Sequence, residues 1–280
     1  METFIAFFDV LGFKEIINNN DLTEMKRLFG YLLRDTQTAL SDEKLVQSNQ
    51  STFVPDLKNQ KVNCLHVSDS IVFWTNGQTE KDFMDLVSVC HTFYWRSLKT
   101  TFPLRGCLTF GEIEFSPNTI NAINGVNFYN YSLFGKGLVE AYTKADSIEY
   151  VGCILDNLAI SKVKDSTINN LIYDQKICVY KVPFKSGENY EHVFRPIKYD
   201  HNDVSFRNTV NKIKNLFTYA SKTDINKMPE SVKKKMNNTI DFISYFRETE
   251  KNLNRPSQGK NNEPPTSVQA AKSTRCRSLP

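Results

Sequence analysis

The chain has 280 residues, 40% hydrophobic and 24% charged, so it can bury a core and resembles soluble globular proteins in composition. The net charge is +4, but residues 251–280 hold six Lys and Arg and one Glu, so the rest of the chain is almost neutral. This balance argues against a basic nucleic-acid binder, and no apolar stretch reaches the roughly 18 residues of a membrane span.

An apolar, aromatic run at residues 3–10 predicts a buried strand that ends at a turn. Apolar residues at helical spacing predict an amphipathic helix over 22–40, and the polar residues 41–60 predict a loop. Residues 61–75 predict two short strands. Apolar residues over 80–99 again have helical spacing and predict a helix.

Pro103 precedes a strand with two glycines, and the Asn-rich residues 117–130 predict a loop. Residues 135–149 predict a helix and 152–161 a strand. The resulting order, strand–helix–strand–strand–helix–strand with one more helix and strand, predicts an α+β fold. We expect a ferredoxin-like, antiparallel-containing sheet with helices on one face.

The character of the chain changes after residue 200. Residues 203–222 and 228–251 are basic and helical in pattern, and residues 252–280 have almost no large apolar residues. We therefore predict a catalytic-type domain over 1–200, a helical extension over 201–251 and a disordered basic tail over 252–280. The apolar stripes of the two helices are more typical of packing than of docking to a partner.

The cysteines and the first residues predict the cellular compartment. The six cysteines are far apart with no CxxC pair, and five lie in apolar stretches. We expect reduced core thiols, not disulfides or zinc ligands. The start Met1–Phe4 lacks the positive charge of a signal peptide, so a cytoplasmic protein without membrane or nucleic-acid partners is predicted.

Two aspartates interrupt apolar strands. Asp9 ends the first strand, and Asp69 lies in the turn between the next two. If the first and second strands are neighbours, the two carboxylates face each other and suit Mg²⁺ or Mn²⁺. The alternative is that each aspartate only forms a turn or caps an element.

Glycine and arginine residues near these aspartates suggest phosphate binding. Gly12 after the strand lets backbone N–H groups approach a phosphate at the start of a helix. Arg105 either binds phosphate or pairs with an acid. Gly106 and Gly111 in the same strand mark either a close backbone approach or a bulge.

Four segments in order resemble the catalytic domain of class III nucleotide cyclases. They are FIAFFDVLGFKEI, HVSDSIVF, LRGCLTFGEI and LFGKGLVEAYTKADSIEYVGCILDNLAIS, within residues 3–182. Within that family the chain is most similar to the bacterial pyrimidine cyclases of Pycsar anti-phage systems. Two differences are Ser68, where the family usually has Gly, and the direct adjacency of Arg105 and Gly106.

The resemblance implies a homodimer that converts CTP or UTP into a 3′,5′-cyclic nucleotide, which activates a separate effector in anti-phage defence. It implies two Mg²⁺ or Mn²⁺ ions on Asp9, Asp69 and the Val10 carbonyl. One ion would activate the ribose 3′-OH, and the other would neutralise the triphosphate. The residues that would line the triphosphate are Leu11, Gly12 and Phe13.

The base-reading and helix positions depart from the purine cyclases. Leu65 and Ser132 stand where those enzymes have Lys and an acidic residue or Thr, so the resemblance implies a different base, with Tyr131 beside it. The helix Asn and Arg of the family fall on Val139 and Thr143. A shift by one residue brings Lys144 to the Arg position, so Arg105 or Lys144 would supply the catalytic positive charge.

Two rival hypotheses are a catalytically degenerate cyclase domain, which binds nucleotide or a partner without turnover, and a scaffold whose C-terminal helices bind a partner. The absent Asn/Arg pair favours the degenerate domain. Metal-dependent release of pyrophosphate would exclude it.

Overall fold

The helices of the chain pack against one large β-sheet. A computed structural model describes residues 1–48, 51–99, 102–121, 127–196 and 203–253. In chain order the first elements are β1 (Glu2–Val10), α1 (Phe13–Asn18), α2 (Leu22–Leu40), β2 (Leu45–Gln47), β3 (Phe53–Pro55), β4 (Asn63–Val67), β5 (Ser70–Trp74), α3 (Glu80–Ser97) and β6 (Leu104–Glu112). They are followed by β7 (Glu114–Asn121), β8 (Asn127–Phe134), α4 (Lys136–Ser147), β9 (Gly152–Leu155), α5 (Asn157–Ile160), α6 (Asp165–Tyr173), β10 (Ile177–Phe184), β11 (Gly187–Phe194), α7 (Asp203–Thr218) and α8 (Glu230–Leu253).

Seven strands form one sheet in the order β10-β11-β9-β6-β1-β5-β4. β1 is antiparallel to both neighbours, and β6 and β9 are parallel. The order β6-β1-β5-β4 is that of a ferredoxin-like unit, so the predicted α+β fold is confirmed. The expected pairing of the first two core strands is wrong, because the return strand β5 lies between β1 and β4.

Helices cover both faces of this sheet, not one face as expected. Alternate residues of β1 enter two separate cores, since successive side chains of a strand point to opposite faces. Phe4 and Phe8 join the larger core with α2 and α3. Ile5 and Phe7 pack in a smaller core with Ala141 of α4.

Glycines allow α4 to approach β6 closely. A Cβ on Gly111 would lie 2.7 Å from the Cα of Gly137, and a Cβ on Gly106 would lie 2.8 Å from the carbonyl oxygen of Phe7. Such distances are closer than side chains tolerate. Of the two interpretations of the strand glycines, the close backbone approach is therefore confirmed.

Local capping explains where the long helices begin. The side chain of Asp21 accepts a hydrogen bond from the Glu24 amide at 2.8 Å at the start of α2. Thr79 and Asp82 form a reciprocal capping box at the start of α3. These caps satisfy amide groups that have no partner within the helix.

Three sequence expectations about loops and strands are wrong. Residues 41–60 include the hairpin β2–β3, and residues 117–130 belong largely to the hairpin β7–β8. Both hairpins form separate two-stranded sheets, and the strands of the first have only three residues each, so no long apolar run marks them. The strand expected over 152–161 ends at Leu155, because Asp156 caps the short helix α5.

The two C-terminal helices pack against the same core as the sheet. Their apolar stripes are buried there, which confirms packing as their role; the buried residues include Ile213, Leu216, Phe217, Phe242, Ile243 and Phe246. The boundary at residue 200 stays a prediction. The tail predicted over 252–280 lies, from residue 254 onward, outside the described residues.

Two further features concern thiols and membrane spans. Five cysteines are free thiols, of which Cys90, Cys107 and Cys153 are fully buried; Cys276 is outside the described residues. Burial raises the pKa of Cys64 to about 12. Among the described residues, no helix is both long and apolar enough to cross a membrane.

Candidate functional site

Asp9 and Asp69 meet where β1 leaves the sheet. Asp9 is opposite Ser70 of β5, and the Val10 amide donates to the Asp69 carbonyl at 3.1 Å. Asp69 therefore lies beside the end of β1. Burial raises the pKa of Asp9, and the negative charge of Asp69 adds to this effect, while Arg105 opposes it.

Arg105 connects Asp9 to α4. It lies opposite Asp9 in the β1–β6 register, and its Nε donates to Asp9 Oδ2 at 2.9 Å. Its Nη1 and Nη2 donate to the carbonyl and Oδ1 of Asp146, both at 2.6 Å. Because only 12% of the Arg105 side chain and 17% of Asp9 are exposed, this pairing is shielded from solvent.

Lys185 continues the chain of alternating charges. Its Nζ lies 2.7 Å from Asp146 Oδ2. The hydrogen bond from Lys185 and the charge of Arg105 lower the pKa of Asp146, although burial opposes them. The four residues Asp9, Arg105, Asp146 and Lys185 thus form one ion-pair network that joins β1, β6, α4 and the β10–β11 turn.

Gly12 turns the chain from β1 into α1. Its φ of 73° lies in the left-handed region that favours glycine. The Leu11 amide donates to the Pro103 carbonyl at 2.8 Å, which fixes this turn against the start of β6. Phe13 packs edge-on against Phe29, with ring centroids 5.8 Å apart, on the side of the larger core.

A cavity of about 510 Å³ opens beside this network. Asp9, Val10, Leu11 and Gly12 form one wall, and Arg105 and Lys185 line it as well. The opposite wall comes from residues 216–235, between the end of α7 and the start of α8. The volume of the cavity is within the usual range for a small-molecule site.

The base-facing positions lie elsewhere. Leu65 is partly buried, opposite Val72, and packs against the smaller core under α4. Tyr131 and Ser132 belong to β8, which is in a separate sheet, and the Ser132 hydroxyl lies 2.8 Å from Asn130 Oδ1. None of the three lines the cavity, so their role as base contacts stays a prediction.

Lys144 lies in a different ion-pair cluster on α4. Its Nζ lies 2.5 Å from Asp156 Oδ1 and 3.1 Å from Glu191 Oε2. Burial alone would lower the pKa of Lys144, but the hydrogen bond and charge of Asp156 outweigh burial and raise it. Thr109, which donates to the same Asp156, is opposite Ile5.

Ile5 and Asp9 are separated by four residues, or about 13 Å along β1. The structure therefore places the Lys144 cluster away from the two aspartates. Val139, at the family's Asn position, is 61% exposed on α4. The catalytic role of Lys144 remains a prediction.

The donor set near Asp9 suits a hard divalent cation. Both contacts from Arg105 fall on Oδ2 of Asp9, so Oδ1 has no partner among the described residues. Asp69 offers a second carboxylate and Val10 a backbone carbonyl. No group of three or more His, Cys, Asp or Glu residues in the described ranges could hold a metal. Asp9, Asp69 and Val10 are therefore too few to hold an ion alone, but they fit Mg²⁺ or Mn²⁺ if substrate phosphate supplies further oxygen ligands.

Sequence reasoning missed several residues around the cavity. Asp146, Lys185, Lys227 and Lys235 have no distinctive sequence context, and they come from three separate parts of the chain. Nothing in the sequence marks the Asn19-Asn20 turn after α1 either. No spacing signal connects these residues, because tertiary packing alone brings them together.

No family model and no curated protein matches the sequence. Among solved structures, the chain is similar to the guanylate cyclase domain of RhGC from Catenaria anguillulae in complex with GTP, with TM-score 0.47 and 10% identity over 70% of this chain and 97% of that one. It is also similar to adenylate cyclases from Trypanosoma brucei in their monomeric state, with TM-score 0.41 and 10% identity over 69% of this chain and 87% of that one.

A third similar structure is the dimeric guanylyl cyclase domain of the RhoGC fusion protein from the aquatic fungus Blastocladiella emersonii. Its TM-score is 0.45, with 10% identity over 70% of this chain and 96% of that one. At these identities and TM-scores the likenesses assign neither an activity nor a substrate to this chain.

Proposed function

We propose that this protein is a nucleotide cyclase that converts UTP or CTP into the 3′,5′-cyclic nucleotide and pyrophosphate. One observation carries the proposal: Asp9 lines a cavity that also exposes Arg105 and the Gly12 turn, and the β4–β5 turn with Asp69 is hydrogen-bonded to the next residue, Val10. Carboxylates beside cationic groups and a glycine turn suit the binding of a metal-bound triphosphate.

In this reaction the ribose O3′ attacks the α-phosphorus, the bond from that phosphorus to the β-phosphate oxygen breaks, and pyrophosphate leaves. Asp9, Asp69 and the Val10 carbonyl would hold Mg²⁺ or Mn²⁺, which when bound polarise phosphate oxygens and the attacking hydroxyl. Arg105 would meet the negative charge that develops on the phosphate oxygens. Gly12 leaves backbone room for the phosphates to approach.

The substrate base and the assembly are parts of the same proposal. Leu65 and Ser132 at the base-reading positions favour a pyrimidine over a purine. A homodimer is supported by exposed apolar side chains on the β7–β8 hairpin and α4, namely Phe128, Tyr129, Tyr131, Phe134, Val139 and Tyr142. The cyclic product would activate a separate effector in anti-phage defence. Residues 1–200 would supply the metal ligands and Arg105, beside a cavity wall from residues 216–235.

The test is a product assay with each of the four nucleoside triphosphates and Mn²⁺, read by mass spectrometry. We expect a cyclic pyrimidine nucleotide from the wild type and from Asp241→Asn, which changes an exposed carboxylate on α8. Asp9→Asn and Asp69→Asn should lose the product. If both site variants keep wild-type turnover, the proposed metal site is refuted.

A second candidate is a domain that binds nucleotide without turnover. It is favoured by the ion pairs of the two expected catalytic cations, since Arg105 is bound to Asp9 and Asp146 and Lys144 to Asp156 and Glu191. Saturable nucleotide binding without any cyclic product, in a folded dimeric preparation, would favour this candidate over the cyclase.

A further inference from the structure

We propose that residues 216–235, from the last turn of α7 to the first turns of α8, form the roof of the cavity. This roof binds the phosphate groups of the ligand through Lys227. This inference rests on the proposed function for the identity of the ligand, a nucleoside triphosphate or the pyrophosphate released from it. The resemblance to nucleotide cyclases ends at residue 182, so it supplies no role for this segment. The role follows from the contacts of residues 216–235.

Hydrogen bonds fix the roof above the Gly12 turn. Asn19 Nδ2 and Asn20 Nδ2, in the turn after α1, donate to the carbonyls of Ser221 and Ala220, both at 2.6 Å. Arg27 of α2 also donates to the Tyr219 hydroxyl at 3.1 Å. The end of α7 is therefore attached to the same short segment that carries Gly12.

The other end of the roof is attached near α4. Asn238 Nδ2 of α8 donates to the Glu149 carbonyl at 2.7 Å, and the Val151 amide donates to the Thr239 hydroxyl at 2.9 Å. Glu149 is three residues beyond Asp146, the partner of Arg105. Both ends of the roof are thus connected to segments that hold the cavity walls in place.

Apolar side chains support the roof from below. Leu216, Phe217 and Met228 are each less than a tenth exposed and belong to the larger core, together with Ile16 of α1. Their burial keeps the connection closely packed on the fold. The cavity is therefore preformed, and binding would not need to order this segment.

Cations predominate in the cavity lining. Arg105, Lys185, Lys227 and Lys235 face it, against the two carboxylates of Asp9 and Glu15. A lining with more cations than carboxylates favours an anionic ligand, and a cavity of about 510 Å³ has room for more than a single phosphate group.

Lys227 differs from the other lysines of the lining in its partners. Lys185 is paired with Asp146 at 2.7 Å, and Lys235 with Glu149 at 3.2 Å. Lys227 makes no ion pair with any residue in the described ranges, and its position on the roof is exposed. It can bind a phosphate oxygen without first breaking an internal ion pair, so we assign it the largest share of phosphate binding by the roof.

The experiment is isothermal titration of the full chain with inorganic tripolyphosphate, and in parallel with UTP and CTP. The variants are Lys227→Ala, Lys227→Arg and Lys233→Ala. Lys233 is the matched control, because it is on the same roof segment but is paired with Glu230 at 2.8 Å outside the cavity lining. Thermal unfolding of each variant verifies that it is folded.

We expect Lys227→Ala to weaken tripolyphosphate binding about tenfold, the usual effect of losing a charged hydrogen bond. Lys227→Arg should stay within about threefold and Lys233→Ala within about twofold of the wild type. Competition between tripolyphosphate and UTP or CTP would place the nucleotide phosphates in this cavity. Simultaneous binding of the two would overturn the link to the nucleotide.

The proposal is overturned if the wild type does not bind tripolyphosphate, if Lys227→Ala binds as the wild type does, or if both Ala variants weaken binding equally. Its failure is distinguishable from that of the cyclase proposal. Binding that depends on Lys227 without cyclic product would refute the cyclase alone. Turnover with unchanged binding by Lys227→Ala would refute the role of the roof alone.

Discussion

Removing Arg105 is expected to destabilise the protein chiefly through Asp9. The Arg105 side chain is 12% exposed and bonds to two aspartates, so Arg105→Gln leaves a poorly solvated carboxylate without its partner. Loss of one member of a buried pair lowers the free energy of unfolding by roughly 3–5 kcal/mol. Because this pair is partly solvated, we expect the lower end, about 3 kcal/mol. At about 2–4 °C per kcal/mol for a large domain, Tm should fall by about 6–12 °C.

The companion variant Asp9→Asn should have little effect on stability at neutral pH. Burial, together with the negative charges of Asp69 and Asp146, disfavours the charged form of Asp9 more than Arg105 stabilises it, which is why the pKa of Asp9 is raised. Arg105 also keeps its two hydrogen bonds to Asp146. We expect the unfolding free energy of Asp9→Asn to stay within about 1 kcal/mol of the wild type.

A double-mutant cycle measured by urea unfolding tests this reasoning. Adding Asp9→Asn to Arg105→Gln should restore about 2 kcal/mol, because the unpaired charge is then removed. The control cycle uses Lys181 and Glu188, an exposed pair with half of each side chain in solvent, and should give a coupling below about 0.5 kcal/mol. If the Asp9 and Arg105 effects add to within about 0.5 kcal/mol, the pairing argument is wrong.

Three further predictions concern packing, acid stability and the second aspartate. Gly137→Ala should lower the free energy of unfolding by about 1–3 kcal/mol, since its Cβ would lie 2.8 Å from the Cα of Gly111. Gly30→Ala, in open space on α2, should raise it by up to about 1 kcal/mol. Chemical denaturation measures both. Burial lowers the pKa of His91 to about 4, so its contribution to stability is complete above about pH 6.5 and is lost as the pH falls through about 4. His91→Leu should flatten that part of a stability–pH curve, and an unchanged curve would contradict the assignment. Asp69→Asn should weaken the Mn²⁺-dependent binding of UTP or CTP at least about tenfold in titration calorimetry, and wild-type affinity would remove Asp69 from the site.

Much of the core and one side of the candidate site could be predicted from sequence. The apolar run before Asp9 and the two strands around Asp69 are predicted correctly. Burial on both faces requires the continuous apolar residues of β1, and β-branched and aromatic residues mark the other two strands. Helical spacing likewise gives α2 its bounds, Leu22–Leu40. These are local properties, so neighbouring residues specify them without the rest of the chain.

Hairpins with weak apolar patterns could not be predicted in the same way. The strands β7 and β8 present exposed aromatic residues such as Tyr129 and Phe134 among polar neighbours, so no buried run marks them, and the alternation is limited to a few residues of β8. The pairing of backbone groups across the hairpin defines these strands, and this pairing is absent from any single segment. The position of β5 between β1 and β4 could not be predicted either, because it depends on which distant strands pair with each other.

The sequence by itself determined that Asp9 ends an apolar strand, that a glycine turn follows it, and that Asp69 lies in the turn between two further strands. Only the tertiary structure decided which charges meet there. It pairs Arg105 with Asp9 and Asp146, and Lys144 with Asp156 and Glu191. It also brings Lys227 to the cavity lining. Local pattern reports how a segment is buried, whereas ion pairs and cavities depend on distances between segments that only the packed fold fixes.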